Sequence, residues 1–566
     1  MKGNGKKRSA TNSRGGKREN ARVNSKDRKN FKASNDQSEV VADSYPSHGR
    51  DNDPSWYAAN PQLLKDYASY PFGYPLGTSY PLKDTIYSTR VPGVMALNFA
   101  PTIGVATDET SPINVAMRKL YSFVRYANSG AKNYDAPDLM LYIVAVDSAH
   151  MYLEYLKRAY GVMMNYTAFN RYYPRALISA MRLNYDDLEA NLANFRGYIN
   201  QFAVKLNQLW IPNGFSFVKR HQWLCQHIYV DSPDSYKAQT YFFNPLNFYQ
   251  FVVSGSPAVG SCTRVNLPSS AKLENIIAVG NNILDPLITN EDIGIMAGDI
   301  LKAYGAANML PTYGIDENYR VLPEYSEEVM SSIENMTFLW MANLTDGSIT
   351  QDTSIGGGFL KSTPKVSYEI SKPAGSSLVA PTDSAIQNLA DAIFKPVANS
   401  RFLNLHKANP TPEDVIVATR GTALVDLSSA GKGTTSGGSI LFSVSANVDS
   451  CGSELFMSAT IYYITEAGVS SLAFRSADWT VVDTSAVDAV ASAVADFSTN
   501  FALMEQFDWH PLIDFCLLAG AEQEYSWAYP RTPFVDSDTF TYLDAENLAN
   551  MHSVALLSEF TVPMVQ

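Results

Sequence analysis

The stretch DAPDLMLYIVAVDSAHMYLEYLKRAYG, residues 135–161, decides what kind of body this chain builds. Asp135 stands where a helix N-cap is expected, and Pro137 suits a first turn, where its missing N–H has no partner to lose. From Leu139 to Val146 every residue is apolar, so the first two turns present hydrocarbon on all sides. A helix of that kind belongs inside a large core or a membrane. Asp147 stops the run well short of the roughly 18 residues that a membrane span needs. The pattern therefore predicts a helix to about Tyr160-Gly161, buried at the centre of a globular body.

Helical signals flank it. Ser111-Pro112 opens a run in which Ile113, Met117, Leu120 and Val124 share a face, and Asn128-Ser129-Gly130 closes it. Over roughly 185–208, Leu188, Leu192, Phe195, Ile199, Phe202 and Leu206 share another, stopped by Pro212-Asn213-Gly214. Further helices are expected at 217–229, near 290–304 and near 325–340, with 246–345 mixed. Before the helical block, order is expected from Trp56-Tyr57, with an extended Pro- and Tyr-rich segment to about residue 100.

The pattern changes after about residue 350. Residues 355–384 are rich in Gly, Ser and Pro and read as loop with one strand; a short helix (385–394) follows. Strand patterns then dominate, in VIVATRGTALVDL (415–427), SILFSVSANV (439–448) and ELFMSATIYYIT (454–465). The last two are expected to pair as a hairpin across Asp449–Gly452. Helix returns at 485–504, where Val487, Val490, Val494, Phe497, Phe501 and Met504 share a face. A β-rich insertion in a helical body would give this order, and no internal repeat is seen.

Composition adds the functional clue. The 566 residues are 46% hydrophobic, 18% charged and 12% aromatic with 33 Tyr, which suits a folded protein of more than one domain. Tyr suits interfaces, since its ring buries well while its hydroxyl stays satisfied. Cys225, Cys262, Cys451 and Cys516 form no CxxC pair and read as free thiols of a reducing compartment. The N-terminal charges have no apolar core behind them, so no secretory signal is read, and the protein is expected to be soluble and intracellular when made. Residues 1–32 hold twelve Lys or Arg against Glu19 and Asp27, a net +10; with the whole chain at −12, the rest carries −22. This stretch, broken by Gly3, Gly5, Gly15 and Gly16, is expected to be a disordered arm for nucleic acid. Its candidate contacts are Lys2, Lys6, Lys7, Arg8, Arg14, Lys17, Arg18, Arg22, Lys26, Arg28, Lys29 and Lys32. Residues 33–55 read as a tether.

Catalytic signatures are missing from the sequence. No GxxxxGK[ST] loop, GxSxG elbow or HExxH helix occurs; GKGTTSGG (431–438) reads as a mobile loop between strands. His221, Cys225 and His227 offer three ligand types, but on a helix His227 points about 120° from the other face, and no fourth ligand is spaced to help. They read as packing residues. DWHP (508–511) reads as a helix-to-helix turn, and AGD (297–299) lacks the paired aspartates of a template-directed polymerase. No catalytic residue, metal or cofactor is expected.

Three stretches together resemble the capsid proteins of picobirnaviruses, small viruses with double-stranded RNA genomes. They are DPSWYAANPQLLKDYASYPFGYPLGT (53–78), YSFVRYANSGAKNYDAPDLMLYIVAVDSAHMYLEYLKRAYGV (121–162) and NLANFRGYINQFAVKLNQLWIPNGFSFVKRHQWL (191–224). The likeness is best from about 53 to 250 and looser beyond. It implies a structural protein that assembles through homodimers into an icosahedral shell, with a helical shell domain and a projecting domain. It also implies viral RNA as partner of the arm, and a one-time self-cleavage of the N-terminal segment, expected in 33–55. A viral polymerase and a host membrane met during infection are further partners it admits, with the virion, and the host-cell cytoplasm during assembly, as location.

The expected fold is thus mainly α with a smaller β-rich portion. Residues 1–55 form the disordered arm and tether and 56–245 the helical shell domain. Residues 246–482 form a mixed α/β projecting domain, β-rich toward its end, and 483–566 are C-terminal helices returning to the shell. Two other readings stand beside the capsid: a cellular nucleic-acid-binding protein with a disordered basic arm and a folded interaction body, and an enzyme with a basic localisation tail.

Overall fold

The computed structural model describes residues 56–561 apart from short stretches between them, the longest being 71–78, 82–87, 166–172, 234–238 and 433–439. The chain divides into two units, residues 1–74 and 75–566. In the first, the expected extended segment contains a helix, Pro61–Tyr67, with Pro at its start.

The helices that organise the second unit are α1 (Pro112–Ala127), α2 (Ala136–Met163), α3 (Leu192–Leu206), α4 (Ser216–Gln226), α5 (Pro412–Thr419), α6 (Ala489–Met504) and α7 (Ala545–Phe560). Helix α2 is the helix of the opening stretch. The backbone N–H of Asp135 donates to the Asp138 carboxylate (3.0 Å), which closes its first turn. Every residue from Ala136 to Met163 except Asp138 is buried. Its tyrosines fit there because their hydroxyls find carbonyls: Tyr142 donates to Trp210 (2.8 Å) and Tyr152 to Ile276 (2.7 Å). Around it, α1 buries Ile113, Met117, Leu120 and Val124, and α3 buries Phe195, Ile199, Phe202 and Leu206, as their periodicity requires.

The strands used below are β1 (Val94–Pro101), β2 (Tyr229–Val230), β3 (Thr240–Pro245), β4 (Ala342–Asp346), β5 (Lys365–Ser371) and β6 (Ala423–Lys432). They continue with β7 (Ile440–Ser450), β8 (Glu454–Thr465), β9 (Gly468–Phe474), β10 (Ala477–Asp483), β11 (Ile513–Ala521) and β12 (Glu524–Phe534). A five-stranded sheet runs β9-β8-β1-β3-β2, with β1 and β3 parallel. Strand β1 is buried at every position, and its residues join those of α1–α4 in one hydrophobic core. A four-stranded antiparallel sheet, β6-β7-β5-β4, encloses a second core around Val366, Phe442, Val444 and Val448. A third sheet, β10-β11-β12, pairs β10 parallel to β11.

The structure is a mixed fold in which helix exceeds strand, as expected, but a sheet sits inside the helical block itself. Four further corrections follow. Strands β7 and β8 do not form a hairpin: β7 pairs with β5 and β6, and β8 with β1 and β9. Within VIVATRGTALVDL, the first part belongs to α5, since Thr411 caps it, Pro412 fills its first position and Asp414 closes a capping box; the strand starts only at Ala423. The segment 355–384 holds two strands, Phe359–Lys361 and β5. Finally, residues 483–566 are not all helical: β11, β12 and Thr539–Leu543 lie between α6 and α7. IDFCLLAGA is a short run buried on both faces, and such a run shows no period that separates strand from helix.

Candidate functional site

The twelve cations of the arm lie outside the described residues. Of the motifs of the body, residues 433–438 of GKGTTSGG lie outside the described residues, and the others are described. On α4, His221 turns toward α2, where its Nδ1 lies 2.6 Å from Asp147 Oδ2, with both side chains 2% exposed. Its Nε2 lies 3.1 Å from the Ser453 carbonyl. A carbonyl only accepts and a carboxylate favours a donor, so both ring nitrogens carry protons and the ring is an imidazolium. Burial alone would lower its pKa, but Asp147, with Glu454 and Glu559 behind it, holds it at about 9.

Cys225, one turn on, is buried; burial pushes its thiol up to about 12, against the pull of Arg158. His227, past the helix end, pairs with Glu324 at 2.8 Å. The three are not brought to one point, and among the described residues no group of three His, Cys, Asp or Glu could hold a metal. In DWHP, His510 contacts the Pro511 carbonyl (3.2 Å) and the Phe501 ring, and the turn leads from helix α6 to strand β11 rather than to a helix. Asp299 of AGD accepts from the Tyr134 hydroxyl at 2.8 Å.

His221 belongs to a larger buried cluster that joins segments far apart in sequence. Arg220 Nε donates to Glu454 Oε1 at 2.9 Å. Arg420, just past α5, reaches Glu454 (3.3 Å) and Glu559 of α7 (2.5 Å). The Ser453 amide and hydroxyl both donate to Glu559, at 3.1 and 2.8 Å. Glu454 is fully buried; burial would raise its pKa, but Arg420, Arg220 and His221 bring it down to about 2. Three carboxylates (Asp147, Glu454, Glu559) thus face three cations (His221, Arg220, Arg420). Burying charge is costly unless it is paired and hydrogen-bonded; here each group has an opposite charge within reach, with Asp147 Oδ1 and Arg220 Nη2 left without a hydrogen bond among the described residues. The cluster fixes α2, α4, α7 and the β7–β8 connection against one another, and it offers no thiol or hydroxyl with a depressed pKa.

Sequence reading found His221 but none of its partners. One sign was present: Asp147, Glu154, Lys157 and Arg158 interrupt a helix that its other residues mark as fully buried, and buried charges demand partners. Which partners these are is fixed only by the fold.

The chain is similar to known proteins along nearly its whole length. The family described as "Picobirnavirus, Capsid protein" matches residues 56–526. The capsid protein precursor of human picobirnavirus (strain Human/Thailand/Hy005102/-) is 28% identical over 544 residues, covering 91% of each chain. The X-ray structure of the picobirnavirus capsid superposes with a TM-score of 0.70 at 25% identity, covering 90% of this chain and 98% of that one.

Proposed function

Because the chain belongs to the picobirnavirus capsid protein family, we propose that it assembles through two-fold dimers into an icosahedral shell and that its basic arm holds the packaged double-stranded RNA. As a capsid protein it is a structural component of the virion and associates with copies of itself. The cellular-protein and enzyme readings give way to this one. The observation that carries the role of the arm is the charge split, +10 in residues 1–32 against −22 in the rest.

Such an arm binds phosphates by charge and counterion release, without sequence preference. Base stacking contributes little, since Phe31 is its only aromatic residue. In the body, we assign the projection to part of 246–482 that excludes β8, because β8 pairs with β1 in the main core sheet. We place assembly in the host-cell cytoplasm, with the viral polymerase as a further partner and a host membrane encountered during infection. Self-cleavage, where it occurs, falls in the tether 33–55.

Removing residues 1–32 should leave the body folded and sharply lower the nucleic acid recovered with particles, and RNA binding by the intact protein should weaken steeply with added salt. Arm-deleted particles that carry as much RNA as intact ones would overturn the assignment.

A further inference from the structure

An open groove of about 680 Å³ lies between α7, the paired strands β6 and β7, and the turn ahead of α1. Val105, Pro112, Leu424 and Leu556 give it apolar surface, while Val425 and Val448, one position along each strand, turn to the core on the other face of the sheet. Asp426, Asp449 and Glu546 supply its charge, and none of the described residues lining it is Lys, Arg or His. The strand register sets Asp426 opposite Asn447 and Asp449 opposite Leu424, so the two aspartates are diagonal neighbours on one face. Glu546 faces them from the first turn of α7. Burial holds the Asp449 carboxyl up at about 6, with the buried His552 Nδ1 3.9 Å behind it, and a cation in the groove would relieve that cost.

The groove is far larger than a metal ion needs, and its chemistry asks for an extended cationic ligand with small residues between its charges. The chain itself contains one. Residues 1–32 carry a net +10, with Gly, Ser, Asn and Ala interspersed among the cations. The tether of residues 33–55 adds a reach of at most about 80 Å when fully extended.

We propose that this groove is a docking site for the basic arm, residues 1–32, of a second copy of this chain. The arm then has two anionic partners. RNA, with its closely spaced phosphates, is the stronger and displaces the arm from three carboxylates. Docking in the groove itself does not depend on the RNA-binding reading.

The test uses nuclease-treated full-length protein and a fluorescent peptide of residues 1–32, followed by anisotropy at low salt. Asp426 and Glu546 are both exposed, so their replacement by Lys spares the core. The pair Asp426→Lys/Glu546→Lys should weaken peptide binding at least about tenfold, the equivalent of about 1.4 kcal/mol. Glu291→Lys/Asp292→Lys makes the same charge change at two exposed positions elsewhere and should leave binding within about threefold of the parent, taking that as about 0.65 kcal/mol. A smaller loss in the groove pair, or an equal loss in the control pair, overturns the proposal. So does equal binding of a peptide with all twelve cations changed to Gln, which would make the groove an apolar site for some other segment. Carbodiimide coupling in a mixture of isotope-labelled and unlabelled protein should join arm lysines to Asp426 or Glu546 of differently labelled copies; coupling confined to one label overturns the second-copy assignment.

Discussion

Helices α2 and α7 are held in place by opposite means. Helix α2 is enclosed along nearly all of its 28 residues, and apart from Asp147 in the ionic cluster and the charges of its last turns its position is set by hydrocarbon contacts. Helix α7 buries only Leu548, His552, Leu556, Glu559 and Phe560, and two of those five are ionisable. His552 Nε2 lies 3.0 Å from the Thr422 hydroxyl, and Glu559 takes Ser453 and Arg420. A wide apolar contact degrades gradually when one side chain shrinks. A buried ionic contact fails at once, because removing one partner strands the other without water. The central helix should therefore tolerate conservative change, and the terminal one should depend on a few atoms.

The sharpest break is at the carboxylate that both arginines share. Glu454→Gln leaves Arg220 and Arg420 facing a neutral amide and should cost about 3–5 kcal/mol. Urea unfolding of unassembled protein measures it, and a loss below about 1 kcal/mol would mean that this cluster does not hold the segments together. Next comes α2 itself. Leu153 is fully buried, so Leu153→Ala should cost about 2–5 kcal/mol. Leu153→Met nearly conserves volume and should cost less than about 1.5 kcal/mol. Equal costs for the two would show that α2 is not held by graded packing.

Glu559→Gln should fall lower, about 1.5–3 kcal/mol, since Arg420 keeps Glu454. Its signature is local: limited proteolysis should cut near α7 first, before global unfolding. Titration separates the two kinds of support as well. His221 is held at about 9 in the fold against an ordinary 6.5, so its contribution is complete below 6.5 and lost as pH rises through about 9. Glu454 is held at about 2 against 4.5, so its contribution is complete above 4.5 and lost as pH falls through about 2. The ionic cluster should thus stabilise most between pH 4.5 and 6.5, and the alkaline loss should disappear in Asp147→Asn/His221→Gln. An unchanged alkaline loss in that double variant would place its origin elsewhere.

How far sequence reading reached follows the same division. Where a single face is buried, as in α1 and α3, residue spacing alone located most of the core residues, although the single helix expected over 185–208 is two, Tyr185–Ala190 and α3, parted at Asn191. Helix α2 was legible for the opposite reason, a start signal at Asp135 and Pro137 followed by an apolar run too short for a membrane. Two strong signals were misread. The Thr411-Pro412-Glu413-Asp414 cap was present, but the β-branched residues behind it favoured a strand. The turn between β7 and β8 looked like a hairpin, whereas its residues Ser453 and Glu454 are spent on the ionic cluster and send the two strands to different sheets. The cluster itself was illegible: Asp147 and His221 are 74 positions apart, and Arg220 and Glu454 are 234. Local periodicity carries no information across such distances.

The smallest expected effect tests the outer face of α7. Val554 is 68% exposed and Leu557 40%, so neither adds much to the fold of a single copy. Val554→Ser should change the stability of unassembled protein by no more than about 0.5 kcal/mol, the range of ordinary surface substitutions. Serine and valine have about the same helix propensity, so the exchange itself adds little. Thermal unfolding beside Glu559→Gln makes the contrast direct, since the two residues lie on one helix five positions apart. A cost for Val554→Ser that approaches the cost at Glu559 would show that α7 is held by its apolar surface after all, and the division between the two helices would fail.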